Sequence, residues 1–291
     1  GLNKKGITVR EISSAAKVMR EKSLKFDLKD SNIIDTCGTG GTGLHIFNCS
    51  TASAIVATAA GAKVSKHGNR GISSKSGSAD FLVEAGANIN HEREQLAEIF
   101  NKVGFVFLFA PLHHLSMKHV MPARQNLATK TIFNLLGPLL NPANAKNQLL
   151  GVYDKKWLNT HCETLKDLGS QNVLVVHGCD GLDEITLTDN TFICELKNNS
   201  INRYTFDPRE IGYEYILLQD IKGGDPKYNS DCFLKMINGD NKKFQSIVEI
   251  NAGATLYLAG MAKSIKEGSQ IVAKAINEGK TKSFITKIIN G

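Results

Sequence analysis

Apolar residues recur along the chain in two alternating rhythms. Short apolar runs of strand composition end at glycine or a polar turn, and longer segments with helical spacing follow them. Asn32 to Cys37 predicts a buried strand closing on glycine, and Ser50 to Ala60 a helix with Ser and Thr at its start. Ala62 to Ser65 predicts a short strand, Ser78 to Ala85 a helix stopped by Gly86, and Arg93 to Val103 an amphipathic helix. Phe105 to Ala110 is continuously apolar with strand composition. Gln148 to Tyr153 and Asn172 to Val176 predict further strands, with a helix over Trp157 to Leu168 between them. From Phe244 onward the pattern is mostly helical, broken at Gly260.

This alternation predicts an α/β fold with a mostly parallel central sheet flanked by helices. Two stretches depart from it. Thr8 to Lys22 has helical periodicity, and His113 to Leu140 reads as helical, punctuated by Pro122, Pro138 and Pro142. They predict a small helical domain, residues 1–27 and 112–141, fed by two crossings of the chain, beside an α/β domain of 28–111 and 142–291. Phe192 to Phe206 reads as an antiparallel edge hairpin turning at Asn198-Asn199.

Composition narrows the function classes. With 42% hydrophobic and 22% charged residues, the 291-residue chain is ordinary for a globular protein, not collagen-like or disordered. The longest apolar stretches, Ala52 to Ala62 and Phe105 to Leu112, are too short to cross a bilayer, so no membrane partner is expected. Nothing at the start of the chain suggests export. The six cysteines lack Cys-x-x-Cys spacing and are read as free thiols of a cytoplasmic protein. A formal charge of +7 favours anionic partners, whether nucleic acid, acidic lipid or phosphorylated metabolites.

Much of that charge is focused. From Thr36 to Ala79 there is no Asp or Glu, while Lys63, Lys66, Arg70 and Lys75 lie inside the window. The window opens on Gly38-Thr-Gly-Gly-Thr-Gly43, directly after a predicted strand. Its glycines satisfy the dinucleotide fingerprint, but the acidic residue expected some twenty positions later is missing, so a Rossmann reading fails. A glycine turn between strand and helix still serves as a phosphate cradle, because backbone N–H groups can approach anionic oxygens. Asn48-Cys-Ser-Thr51 then leads a helix, either as a plain N-cap or as a phosphate or metal contact. Lys66-His-Gly-Asn-Arg70 with Gly71 to Ser78 offers cations, hydroxyls and glycines in a density that suits a diphosphate. Asp183-Glu184, after a predicted strand, reads as surface decoration or as Mg2+ ligands. Arg124, a lone Arg in an apolar helical segment, calls for an anion. The histidines at 113, 114 and 119 lack nearby carboxylates and read as packed or solvated, not as metal ligands.

Taken together, these residues resemble the anthranilate phosphoribosyltransferases of tryptophan biosynthesis. The resemblance rests on Gly38 to Gly41, Phe47 to Ser53, Lys66 to Arg70, Ser73 to Ser78, Met117 to Val120, Arg124, Thr131 to Leu139, Asn141-Pro142 and Gly181 to Ile185, in the family's order across nearly the whole chain. It implies a nucleoside phosphorylase/phosphoribosyltransferase-like fold, a homodimer, and a pentosyltransferase moving phosphoribosyl from its diphosphate to the amine of anthranilate. It assigns phosphoribosyl diphosphate to Gly38, Gly41, Thr42, Ile46, Asn48, Cys49, Ser50, Thr51, Lys66, His67, Gly68, Asn69, Arg70, Gly71, Ile72, Ser73, Ser74 and Ser78. Anthranilate is assigned to Gly38, Asn69 and Arg124. A pair of Mg2+ ions is assigned to Ser50, Asp183 and Glu184. No nucleophile or base is implied, and no Ser–His or Cys–His arrangement is evident.

Departures from the family pattern are Thr42 in place of Asp, Ile46 in place of Thr, and the absence of further helices before the segment resembling Leu2 to Arg20, which would leave the small domain incomplete and the dimer weakened. Two rivals are a pyrimidine nucleoside phosphorylase, opposed by Asp183-Glu184 and Arg124, and an inactive nucleic-acid-binding scaffold, opposed by the focused charge and by only 7% aromatic residues.

Overall fold

Short runs of β-branched and aromatic residues bounded by glycine form seven strands in the computed structural model, which describes residues 2–28, 30, 32–71, 74–120, 126 and 131–290. They are β1 (Ile34–Gly38), β2 (Val64–Gly68), β3 (Phe105–Phe109), β4 (Asn147–Gly151), β5 (Asn172–Gly178), β6 (Thr191–Lys197) and β7 (Ser200–Phe206). The sheet order is β3-β2-β1-β4-β5-β6-β7. Its first five strands are parallel and its last two antiparallel. Asn198 and Asn199 both take positive φ, 51° and 60°, which closes the β6–β7 hairpin as expected.

The helices used below are α1 (Val9–Glu21), α2 (Cys49–Ala59), α3 (Ser78–Glu84), α4 (Arg93–Val103), α5 (Trp157–Asp167), α6 (Pro226–Ile237) and α7 (Lys242–Leu258), followed by α8 (Ile265–Asn277) and α9 (Lys280–Asn290). Thr8 caps α1 through a reciprocal pair with Glu11, and Gly104 ends α4 in the left-handed region. One core layer joins α2, α6 and α7 to one face of the sheet. A second joins Ile12 and Ala16 of α1, Leu135 to Leu140 and α5 to the other.

Three readings shift. The strand expected at Ala62 to Ser65 runs over Val64–Gly68, because every residue of β2 pairs with β3 in the register Val64↔Phe105 to Gly68↔Phe109. Lys66, His67 and Gly68 therefore stand on a strand end and not in a loop. The described part of His113 to Leu140 is not one helix. It holds the short turns Leu115–His119, Ile132–Leu136 and Gly137–Leu139, and the last break falls at Pro138, which cannot continue a helical hydrogen-bond ladder. Finally, α6 was not expected; Asp225 caps it by accepting the Tyr228 amide, and Pro226 takes the first turn.

Candidate active site

β1 is the strand at which the sheet reverses its winding: the chain runs from β1 outward to β2 and β3, then returns to β4 on the other side. Ligands of open α/β sheets lie in the crevice beyond the C-terminal ends of the strands at such a switch point. Here those ends are Gly38 and Gly151, which face each other in register. Both lack a side chain for the same reason. A Cβ on Gly38 would stand 2.5 Å from Oδ2 of Asp183, and one on Gly151 would collide with the Asp183 carbonyl. The two glycines thus admit the Asp183-Glu184 segment to the crevice.

The glycine turn is fixed from both sides. Gly40, Gly41 and Gly43 take positive φ, and the Gly40 amide donates to Asp183 Oδ2 at 3.0 Å. The Thr39 amide donates to the Gly151 carbonyl at 2.9 Å, and its hydroxyl accepts the Tyr153 amide at 3.0 Å. Thr42 turns its hydroxyl onto the backbone of Leu44, accepting that amide at 3.1 Å. Ile46 pairs with Lys222 in an antiparallel bridge and packs against the core.

The N-terminus of α2 opens into the same crevice. The Ser50 amide donates to Glu184 Oε1 at 3.1 Å, which places a carboxylate on the positive end of the helix. Asn48 does not cap α2 with its side chain. Its amide donates to the Ser76 carbonyl at 3.2 Å, and its Oδ1 accepts Ser76 Oγ at 2.9 Å and Asn229 Nδ2 at 2.8 Å. Cys49 and Thr51 are buried in the helix, and burial pushes the Cys49 thiol well up, so neither presents a reactive group. Lys66 is buried; its ammonium donates to the Thr36 carbonyl at 2.5 Å and to Ser50 Oγ at 3.3 Å.

Beyond β2, Asn69, Arg70 and Gly71 form one limb of a loop and Ser74 to Ser78 the other. Ser78 Oγ donates to the Asn69 carbonyl at 3.2 Å, and Ser74 Oγ to the Ser76 carbonyl at 3.1 Å. Asp80 in the first turn of α3 accepts from Arg70 at 2.8 Å and from the amides of Gly71 and Gly77 at 2.8 and 3.0 Å. Gly68 has no room for a Cβ against Ser78 and Phe107. His67 is buried edge-on to His114, ring centroids 5.0 Å apart, and its Nε2 has no hydrogen-bond partner. Ile72, Ser73 and Arg124 lie outside the described residues.

The described candidates Gly38, Gly41, Thr42, Ile46, Asn48 to Thr51, Lys66 to Gly71, Ser74, Ser78, Asp183 and Glu184 thus lie on segments that meet around one crevice. Sequence reasoning missed Asp35, Asp80, Gly151 and Asn229. Asp80 had a signal, since it is the first acid after the acid-free window. Asp35 stands just before that window, whereas nothing local marked Gly151 or Asn229.

The electrostatics suit a cation. Burial pushes both carboxyls up, and Glu184 reaches about 8, from burial first and the Asp183 charge second. A half-buried carboxylate beside a buried one is an arrangement that a hard divalent ion would compensate. Among the described residues no group of three or more His, Cys, Asp and Glu could hold a metal. Two carboxylates fit Mg2+ in the manner of sites completed by phosphate oxygens and water.

Comparison with known proteins gives the family of the chain. The family model described as glycosyl transferase family, a/b domain, matches residues 30–282. The anthranilate phosphoribosyltransferase of Thermoanaerobacter sp. (strain X514) is 45% identical over 289 residues, 99% of this chain and 86% of its own. That of Clostridium beijerinckii is 46% identical over 278 residues, 95% and 82% of the two chains. The crystal structure of the Thermus thermophilus enzyme superposes with a TM-score of 0.93 at 36% identity, over 99% of this chain and 86% of that one. The Saccharomyces cerevisiae enzyme in complex with PRPP and Mg gives 0.88 at 28% identity, over 97% and 80%. By sequence over nearly its whole length and by fold, the chain belongs to the anthranilate phosphoribosyltransferase family of glycosyl transferases.

Proposed function

We propose that the chain transfers the phosphoribosyl group of phosphoribosyl diphosphate to the amine of anthranilate and releases diphosphate, a step of tryptophan biosynthesis. The observation that carries this reading is the pair of amide-anchored carboxylates, Asp183 on the glycine turn at Gly40 and Glu184 on the helix N-terminus at Ser50, side by side at the switch-point crevice. A glycine turn and a helix N-terminus point positive potential into this space.

Gly38, Gly41, Thr42, Asn48, Ser50, Thr51, Lys66 and the Asn69 to Ser78 loop hold phosphoribosyl diphosphate, with Ile46 and Cys49 shaping the wall. Asn69 and Arg124 hold anthranilate, Arg124 on its carboxylate. Asp183, Glu184 and the Ser50 hydroxyl hold Mg2+, which when bound neutralises charge on the departing diphosphate. The C1–O bond to diphosphate breaks as the bond from the anthranilate nitrogen to C1 forms, and the nitrogen then gives up its proton to water. The aromatic amine is neutral near pH 7, so the chain's part is to bind, orient and stabilise charge. Two Mg2+ ions, a homodimer and a cytoplasmic location complete the reading, the last supported by six free cysteines. A small helical domain of residues 1–27 and 112–141 is part of the same reading.

Loss of anthranilate fluorescence tests it. Consumption is expected only with phosphoribosyl diphosphate and Mg2+ both present. Phosphorolysis of thymidine or uridine with no turnover of anthranilate would overturn it.

A further inference from the structure

A strap from far along the chain fastens the segment leading into α2. Residues 221–223 run antiparallel to 45–47. Ile46 bridges Lys222, the Phe47 amide donates to the Ile221 carbonyl at 3.3 Å, and the Gly223 amide donates to the His45 carbonyl at 2.8 Å. Gly223 has no room for a Cβ against the Ile46 carbonyl. α6 begins directly after the strap, and Asn229 at the end of its first turn is only 1% exposed. Its side chain joins two segments. Oδ1 accepts the Gly224 amide at 2.8 Å, and Nδ2 donates to Asn48 Oδ1 at 2.8 Å.

This relay runs in one direction only. The Gly224 amide can only donate, so Asn229 turns its oxygen to the strap and its nitrogen to Asn48. Asn48 then turns its oxygen to Asn229 and its nitrogen, at 3.2 Å, to the Ser76 carbonyl, which can only accept. The Ser76 hydroxyl closes the ring by donating to Asn48 Oδ1 at 2.9 Å. Two backbone groups with fixed roles thus set the direction of both side-chain amides. The other N–H of the Asn48 amide has no partner among the described residues.

We infer that Asn229 is a positioning residue for the phosphoribosyl diphosphate site, fixing the direction of the Asn48 amide and, through it, the Ser76 limb of the basic loop. Asn229 touches no substrate; it acts through Asn48. The inference rests on the proposed role of Asn48 and of that loop in holding phosphoribosyl diphosphate. Packing alone does not call for an amide at this position, because an apolar side chain of the same shape would leave no buried donor or acceptor to satisfy. Without the Asn229 donor, Asn48 Oδ1 keeps only the Ser76 hydroxyl, and its amide is free to turn away from the Ser76 carbonyl.

The test is a calorimetric titration of phosphoribosyl diphosphate, at saturating Mg2+, into the full chain and its variants, well below their melting transitions. Asn229→Asp keeps the acceptor for the Gly224 amide and removes only the donor to Asn48. Asn229→Ala removes both bonds and adds no charge, and Asn229→Ser replaces it if it fails to fold. Both substitutions are expected to weaken binding at least about tenfold, while the anthranilate KM at saturating phosphoribosyl diphosphate stays within about threefold of wild type. Met236→Ala is the structural control. It opens a cavity two turns further along α6, at a fully buried position, and is expected to lower stability with binding within about threefold of wild type. Binding within threefold of wild type in either folded Asn229 variant overturns the inference, as does an equal loss in Met236→Ala or an equal rise in the anthranilate KM. Anthranilate consumption by the wild type, measured in parallel, separates these outcomes from failure of the functional reading.

Discussion

Asp183 reaches 143 positions back along the chain to take the amide of Gly40 at 3.0 Å. The glycine turn and the candidate metal ligand are therefore one unit, and a change to either is felt by the other. The two components of the site come from opposite sides of the switch point, joined across Gly38 and Gly151.

The first consequence concerns charge. Asp183→Asn with Glu184→Gln keeps acceptors for the Gly40 and Ser50 amides while removing both negative charges. Activity should fall by at least about a hundredfold. The metal-free melting temperature should stay level or rise, because two adjacent carboxylates, Glu184 buried and Asp183 half-buried, no longer carry charge there. Mg2+-dependent activity equal to wild type in the double variant would show the pair to be decoration.

Gly151→Ala makes a different cut. The new methyl has no space against the Asp183 carbonyl, so the carboxylate segment must move. We expect a loss of about 2 kcal/mol of stability, measured by urea unfolding, together with a raised Mg2+ requirement. Gly137→Ala is the control, since a Cβ there meets nothing within 4 Å. Equal effects of the two substitutions would sink the idea that Gly151 exists to admit Asp183.

Acid should weaken the fold through its histidines. Burial holds His114 down to about 4 from an ordinary 6.5, with His113 adding to the effect, and burial lowers His67, His113 and His161 as well. Below about 6.5 the unfolded chain takes up protons that the folded chain refuses. Stability is thus fully present above that pH and declines progressively as pH falls towards 4. A melting curve recorded at intervals of pH should show the decline, and His114→Phe should flatten it. A slope unchanged by His114→Phe would assign the acid sensitivity elsewhere.

Arg124→Ala separates the two substrates. Loss of a charge-assisted partner for the anthranilate carboxylate should raise the anthranilate KM about tenfold or more and leave the phosphoribosyl diphosphate KM nearly unchanged. Steady-state kinetics with each substrate varied in turn decides it, and the reverse pattern would move Arg124 to the phosphate site.

The elements whose stabilising contacts are local were legible in the sequence. α4 runs from Arg93 to Val103 as its periodicity predicts, and the Asn198-Asn199 turn states its own backbone conformation. Less legible was anything decided by a distant partner. β2 extends to Gly68 because β3 pairs with it to Phe109, a register that no residue between 62 and 68 encodes. The site divides in the same way. Glycine, hydroxyl and cation density exposed the candidate phosphate-binding segments, but Asp35, Gly151 and Asn229 make contacts formed only after the sheet forms. The β1–β4 pairing that brings Gly38 opposite Gly151 is one such contact.

Asp80 gives the basic loop a resident anion. Its carboxylate already draws together Arg70 and the amides of Gly71 and Gly77, the kind of donors a phosphate would otherwise have to gather from a slack chain. The loss of backbone freedom of these two limbs is met during folding, so under the proposed function an arriving diphosphate would spend less of its binding energy on ordering them. Association should therefore be fast for a site built from so many glycines and serines, and its speed should depend on an acid that never meets the ligand.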